Sequence, residues 1–424
     1  MTPAGRTGSS LTHLEGSLSG RTYPADELVG LDAVDGRPLL ARYDLRRAAE
    51  TLTKHAVARR NRGLWRWHEL LPVRDWSHVT SLGEGDCPLL PARRLGEAFG
   101  LADLRLKEES LNPTGSFKAR GMAVAVSRAL ELGATHLVVP SAGNAGGALA
   151  AYAARSGLRA TVVMPVDAPA SNRIEVQVTG ADLILVEGLI SDCGRLASRI
   201  AEELGAFDLS TLKEPYRVEG KKTMGFELVE AFEWSVPDAI VYPTGGGTGL
   251  IGMWKAFAEL EEVGLMDSER PRLIAVQAEG CAPIVRAFGA GERFAERWTE
   301  AATAAAGIRV PQGVGDFLML DAIRGSGGTA IAVPEREIHE MQRFVARRTG
   351  AYVGLETAAA AAALPALTES GRISARDRVV LFDTGSGYKS EAPAAFDSPP
   401  ILRAEGEDWD AAIQTLRSRS STRG

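Results

Sequence analysis

Lys118 closes the run Asn112-Pro113-Thr114-Gly115-Ser116-Phe117-Lys118, and its amine is the first group in the sequence with a case for chemistry. A turn rich in Asn, Pro, Gly and Ser that leads into a helical stretch near Ala119 can hold a lysine at a fixed helix start. Desolvated there, the amine loses its proton and can attack a carbonyl. An isolated lysine is ordinarily a solvated surface group; the turn around this one favours the reactive reading.

Three further turns carry residue types suited to a ligand. Thr244-Gly245-Gly246-Gly247-Thr248-Gly249 follows a strand-like run and precedes a helical one. Successive glycines let backbone N–H groups approach an anion at a positive helix N-terminus, so this loop is a candidate phosphate cradle. Gly247-Thr248-Gly249-Leu250-Ile251-Gly252 also satisfies GxGxxG, which raises a nicotinamide-dependent dehydrogenase as an alternative, with Glu279 as a late acidic residue for a ribose. No Gly-Lys-Ser/Thr follows the glycines, which excludes a P-loop. The turn Ser141-Ala142-Gly143-Asn144-Ala145-Gly146-Gly147 opens another helix, where Ser141 and the N–H groups could grip a carboxylate and Asn144 a ring hydroxyl; a plain N-cap is the competing reading. Asp383-Thr384-Gly385-Ser386-Gly387 ends the last strand-like run and offers the neutral hydroxyl of Thr384 to a ring nitrogen.

The elements that must position these turns follow from hydropathy. Apolar β-rich runs at 104–106, 136–139, 160–164, 183–186, 239–242, 273–276 and 379–382 alternate with amphipathic helical stretches, which predicts an α/β protein with two open, mostly parallel sheets flanked by helices. Such sheets place ligands at strand carboxyl ends, where all four turns fall. Residues 45–71, with Trp65 and Trp67, carry a helical pattern. The tail after Ser390 reads as a partly ordered extension.

Composition narrows the partners. The chain has 424 residues, 45% hydrophobic and 24% charged, and a formal net charge of −6 with no basic run, which argues against nucleic acid. The apolar runs are far shorter than the roughly 20 residues a membrane helix needs, and the N-terminus has no apolar leader core, so a cytoplasmic location is expected. Cys87, Cys193 and Cys281 are well separated, with no CxxC and no histidine cluster, so reduced buried thiols and no metal are expected; Cys281, following a predicted strand, has the best claim to a site role.

Taken in order, the four turns and Arg217-Val218-Glu219-Gly220-Lys221-Lys222-Thr223 resemble the fold-type II enzymes that depend on pyridoxal 5′-phosphate (PLP), most closely the threonine synthase family, over 81–389. The resemblance implies PLP held between a large and a small domain as a Schiff base on Lys118, beside Phe117. Asn144 would touch the ring 3′-hydroxyl, Gly245, Gly246, Gly247, Thr248 and Gly249 the phosphate, and Thr384 the pyridine nitrogen. Ser141, Gly143, Asn144, Ala145 and Arg217 would bind the substrate, Arg217 through a phosphate. The implied reaction eliminates phosphate from O-phospho-L-homoserine and adds water to give L-threonine, with Lys118 as general base. A β-elimination or β-replacement enzyme is the neighbouring alternative. The implied domains are 1–44 (a zinc-ribbon-like outline without its cysteines), 45–121 with 228–390 (large), 122–227 (small) and 391–424 (extension), in a homodimer. The sequence departs from the family pattern at Ala119, Thr211-Leu212, Leu355-Glu356-Thr357 and Ser386. Lys221 is read as part of a solvated helix start.

Overall fold

The computed structural model describes residues 5–390, 401–402, 409–410 and 412–414. Near the N-terminus, β1 (Leu11–Gly16), β2 (Thr22–Pro24) and β3 (Leu39–Tyr43) form a small antiparallel sheet in the order β2-β1-β3. Two short helices, Leu45–Ala49 and Lys54–Arg59, and a 3-10 segment, Leu64–Leu70, follow. The helical pattern expected over 45–71 is thus divided among three segments. Asp44 and Thr53 each cap a new helix start, their side chains accepting from Arg47 and Ala56 N–H, and Gly63 takes φ 118° before the Trp65-containing segment.

The rest is built on two sheets. After β4 (Leu89–Pro91) and β5 (Asp103–Glu108), the strands β6 (His136–Pro140), β7 (Arg159–Pro165), β8 (Asp182–Val186) and β9 (Phe207–Asp208) make a four-stranded parallel sheet ordered β8-β7-β6-β9. The chain then returns through β10 (Ala239–Pro243), β11 (Arg272–Ala278), β12 (Thr329–Val333) and β13 (Arg378–Asp383). These join the earlier pair in a six-stranded sheet, β12-β11-β10-β13-β5-β4, parallel except for the edge strand β4. The fold is α/β with parallel and mixed sheets flanked by helices, and its central strands are near-continuous apolar runs, as burial on both faces requires. The strands β4, β9 and β12 were not expected; β4 and β9 are only three and two residues long.

Residues up to 390 belong to one compact unit. Most of the expected extension after Ser390 lies outside the described residues; of those that are described, Ile401 and Leu402 are exposed and 409–410 and 412–414 are helical.

Candidate functional site

Lys118 begins the helix Lys118–Glu131. The turn before it is fixed from two sides. Asn112, buried, donates to the Glu109 carbonyl (2.9 Å) and carboxylate (2.8 Å) and accepts from Gly85 N–H (3.1 Å). Thr114 and Gly115 take φ of 65° and 64°, a left-handed pair that reverses the chain. The last turn of the sheet then clasps this one: Phe117 N–H donates to the Thr384 carbonyl (3.1 Å) and Ser386 N–H to the Gly115 carbonyl (2.9 Å), with Ser116 and Gly385 bridged. Lys118 and Thr384 are thus brought together by backbone pairing.

As a residue Lys118 is half-buried, yet desolvation pushes its amine down to about 7, helped by Arg217 and opposed by Glu356. Its Nζ lies 4.2 Å from the centroid of the Phe117 ring, which packs edge-on against Tyr242. Glu356 is itself held by Gly307 N–H at 2.7 Å. The altered frame Leu355-Glu356-Thr357 therefore keeps a carboxylate beside Lys118, and Thr357 ties the last strand end: its hydroxyl bonds the Asp383 carboxylate (2.9 Å) and accepts from Thr384 N–H (3.1 Å). Burial pushes the Asp383 carboxyl up to about 7.

The glycine loop follows β10 and opens the helix Thr248–Val263. None of its glycines has room for a side chain. A Cβ on Gly245 would stand 2.5 Å from the Gly307 carbonyl, on Gly246 2.7 Å from Thr211 Cγ2, on Gly247 2.1 Å from Met319 Sδ and on Gly249 1.9 Å from the Tyr242 hydroxyl. Of the Thr211-Leu212 pair, Thr211 borders this loop, while Leu212 is buried in the large apolar cluster around Phe226 and Phe257.

Asn144 begins the helix Asn144–Ser156, and its buried Oδ1 has no partner. Asn144 Nδ2 lies 3.0 Å from where a Cβ on Gly385 would stand, so this amide reaches the same clasp as Lys118. Ser141 is occupied locally: its hydroxyl accepts from Gly143 N–H (3.1 Å) and Gly146 N–H (3.0 Å) and donates to the Gly143 carbonyl (3.0 Å). It therefore shapes the turn formed with Gly143 and Ala145.

Arg217 lies at the start of the helix Tyr216–Ala231, fully buried. One guanidinium nitrogen donates to the Leu209 carbonyl (2.6 Å) and approaches Thr211 Oγ1 (3.4 Å), while its Nε has no partner. Glu214, buried and pushed up to about 7, accepts from the N–H groups of Tyr216 (2.7 Å) and Arg217 (3.0 Å). Lys221 corrects the sequence reading. It is fully buried and donates to Thr248 Oγ1 at 2.9 Å, with Nζ 4.2 Å from the Phe117 ring centroid. The signal was available, because Arg217 and Lys221 stand four residues apart on one helix and share a face.

Cys281 contributes nothing reactive. It is buried, as are Cys87 and Cys193, and desolvation raises its thiol. Among the described residues no group of three or more His, Cys, Asp or Glu could hold a metal, and no helix is long and apolar enough to cross a membrane.

The chain, with its tightly packed glycine loop at one helix start and a desolvated lysine at another, is matched by the family of pyridoxal-phosphate dependent enzymes over residues 80–385 and belongs to that family. Its relatives include the threonine synthase of Methanocaldococcus jannaschii, 36% identical over 387 residues that cover 91% of this chain and 95% of the relative. The threonine synthase of Mycobacterium tuberculosis is 34% identical over 337 residues, covering 79% and 90%. Two solved structures share the fold at lower identity. Maize serine racemase has a TM-score of 0.61 at 22% identity, covering 79% of this chain and 93% of that one; threonine deaminase isoform 2 of Solanum lycopersicum has 0.61 at 21%, covering 71% and 79%. The family match removes the nicotinamide alternative, and Gly252 of the GxGxxG run serves helix packing: a Cβ there would meet Lys222 N at 2.9 Å.

The residues present fit PLP. A cradle too tight for any Cβ, a buried amide oxygen lacking a donor at Asn144 and an amine held near neutrality at Lys118 are the three requirements of a phosphate, a ring hydroxyl and an aldehyde.

Proposed function

We propose that this enzyme eliminates phosphate from O-phospho-L-homoserine and adds water to yield L-threonine. The activity named for its relatives supports this, and so does one observation in particular: Arg217, buried with Nε unpartnered, close enough to Lys118 to lower its pKa. A second cationic group beside the reactive amine, distinct from the glycine loop, suits a substrate that carries its own phosphate.

In this reading Lys118, Asn144, the loop 245–249 and Thr384 hold the cofactor, and Ser141, Gly143 and Ala145 shape the turn that receives the substrate carboxylate on N–H groups. Bound PLP supplies an electron sink for charge developing beside the α-carbon. Lys118, with a pKa near 7, can both take and return protons at neutral pH and moves them at Cα and Cβ. Arg217 orients the phosphate that leaves from Cγ as a Cβ proton is lost, a proton is then delivered to Cγ, and water adds its hydroxyl at Cβ while Cα regains its proton. Glu356 keeps a negative charge near Lys118, which raises its proton affinity against the desolvation around it. A small part around the four-stranded sheet, a large part around the six-stranded one, a homodimer and a cytoplasmic location belong to the same proposal; sedimentation tests the dimer.

The deciding experiment offers the PLP-loaded enzyme O-phospho-L-homoserine, O-phospho-L-serine and L-threonine, and reads phosphate release and product mass. Threonine and phosphate in equal amounts from the first substrate support the proposal. Turnover of unphosphorylated amino acids alone would refute it in favour of a dehydratase.

A further inference from the structure

The buried lysines of this chain differ in one respect. Lys107 pairs with Glu109 and Glu227, Lys222 with Glu219 and Glu259, and Lys255 with Glu219 and Glu259. Lys221 is as deeply buried, yet among the described residues it has no carboxylate within ion-pair distance. What surrounds it is other cations: Lys118 and Arg217 both oppose its charge, and only Glu214 favours it. Burial drives its amine well below the ordinary lysine range. A lysine amine kept in such a place sheds its proton unless an anion joins it and holds the charge.

The geometry says where that anion would be. The Lys118 and Arg217 helices cross at two glycines, Gly121 and Gly220, so closely that a Cβ on Gly220 would stand 2.0 Å from the Arg120 carbonyl. The bare Gly121 leaves a channel for two side chains: its Cβ would meet Lys221 Cε at 3.0 Å and Arg217 Cβ at 3.4 Å. Lys221 runs through this gap to Thr248 Oγ1 at 2.9 Å. Because the hydroxyl oxygen accepts from Lys221, its proton is left to donate elsewhere. Arg217 and Lys221 thus run side by side past Gly121, close enough for their charges to oppose one another, and Arg217 Nε still lacks a partner, while the glycine loop has its own N–H groups for a separate phosphate.

We propose that Lys221 is a specificity residue that binds the phosphate monoester of the substrate together with Arg217, so that the enzyme favours phosphorylated over unphosphorylated amino acids. This rests on the lyase reading above for the identity of the substrate, but its first test does not need turnover.

The test compares wild type, Lys221→Met and Lys221→Arg as holoenzymes. Inorganic phosphate binding is measured by calorimetry, KM and kcat with O-phospho-L-homoserine, and cofactor retention by absorbance after dialysis. Losing one charge-assisted hydrogen bond should weaken phosphate binding and raise KM about 10- to 100-fold in Lys221→Met. Retained cofactor, a kcat changed far less and partial recovery in Lys221→Arg are expected. Should Lys221→Met misfold, Lys221→Gln, which keeps a donor for Thr248, is read the same way. Unchanged phosphate affinity and KM would overturn the proposal and leave Lys221 a packing residue. Loss of cofactor with unchanged phosphate affinity in the reloaded variant would also overturn it, assigning Lys221 to the cofactor's phosphate. Weakened phosphate binding in an enzyme that turns over no phosphorylated amino acid would sink the lyase reading and overturn the specificity role with it, leaving Lys221 a ligand of inorganic anions alone.

Discussion

A lysine amine poised near pH 7 makes loading of the apoenzyme pH-dependent in a calculable direction. Only the neutral amine attacks a carbonyl, so the rate of PLP incorporation, followed as the growth of a yellow chromophore, should rise with pH through about 7 and level off above it. Glu356 raises the Lys118 pKa and Arg217 lowers it, so Glu356→Gln should move the midpoint to lower pH and Arg217→Gln to higher pH. A common midpoint in all three proteins would show that neither charge is felt at Lys118. Lys118→Ala should lower turnover by about 10³-fold or more while leaving the circular dichroism spectrum unchanged. At this scale the sequence was informative where a residue type is unusual in its setting. Lys118, Asn144 and the glycines declare themselves through turn chemistry. Lys221 is signalled only by its four-residue spacing from Arg217, and Glu356 not at all, because burial and the absence of a counter-charge are properties of neighbours contributed by other elements.

The helices make a second set of demands. The Lys118, Arg217 and Thr248 helices meet through Gly121, Gly220 and Gly252, where a Cβ would stand 3.0, 2.0 and 2.9 Å from the neighbouring helix. At Gly220 the obstructing atom is a backbone carbonyl, which cannot swing aside. Gly220→Ala should therefore destabilise the fold by about 3 kcal/mol or more, visible as a lower denaturant midpoint, and should spread Arg217 and Lys221 away from Lys118, visible as weaker phosphate binding. A midpoint equal to wild type would mean that the crossing relaxes at little expense. The βα alternation was legible because buried parallel strands are saturated with apolar residues. The helical pattern over 45–71 is realised in separate pieces because its apolar spacing persists through capping residues and a left-handed glycine that interrupt the backbone; periodicity reports which side is buried, and Asp44, Thr53 and Gly63 report where each helical piece begins.

Across the whole molecule, the six-stranded sheet is tied to the helices above it by a buried set of charges. Lys107 on β5 donates to Glu227 (2.7 Å), and Arg120 on the Lys118 helix spans Glu109 (2.6 Å) and Glu227 (2.6 Å). Glu227→Gln leaves two buried cations short of a partner and should destabilise the protein by about 3–5 kcal/mol. Arg120 and Lys107 hold the Glu227 carboxyl well below its usual 4.5. A depressed carboxyl contributes its stability fully above the unfolded value and loses it as pH falls further, so unfolding midpoints should decline below about pH 4.5 in wild type and less steeply in Glu227→Gln. Equal slopes would remove Glu227 from the acid response. No sequence pattern announced this set, whose members belong to separate elements and meet only once both are packed. The clasp between the first and last turns of the site spans a similar gap. Lys389 donates to the Thr114 carbonyl across 275 positions of sequence, beside the pairing of Phe117 with Thr384. A ribosome that has released only the first half of this chain has made the reactive lysine but not the strand end that seats it. On the proposed role of Lys118, cofactor capture waits for a polypeptide whose synthesis has passed β13, and termination upstream leaves Lys118 without the Thr384 and Gly385 turn that clasps it.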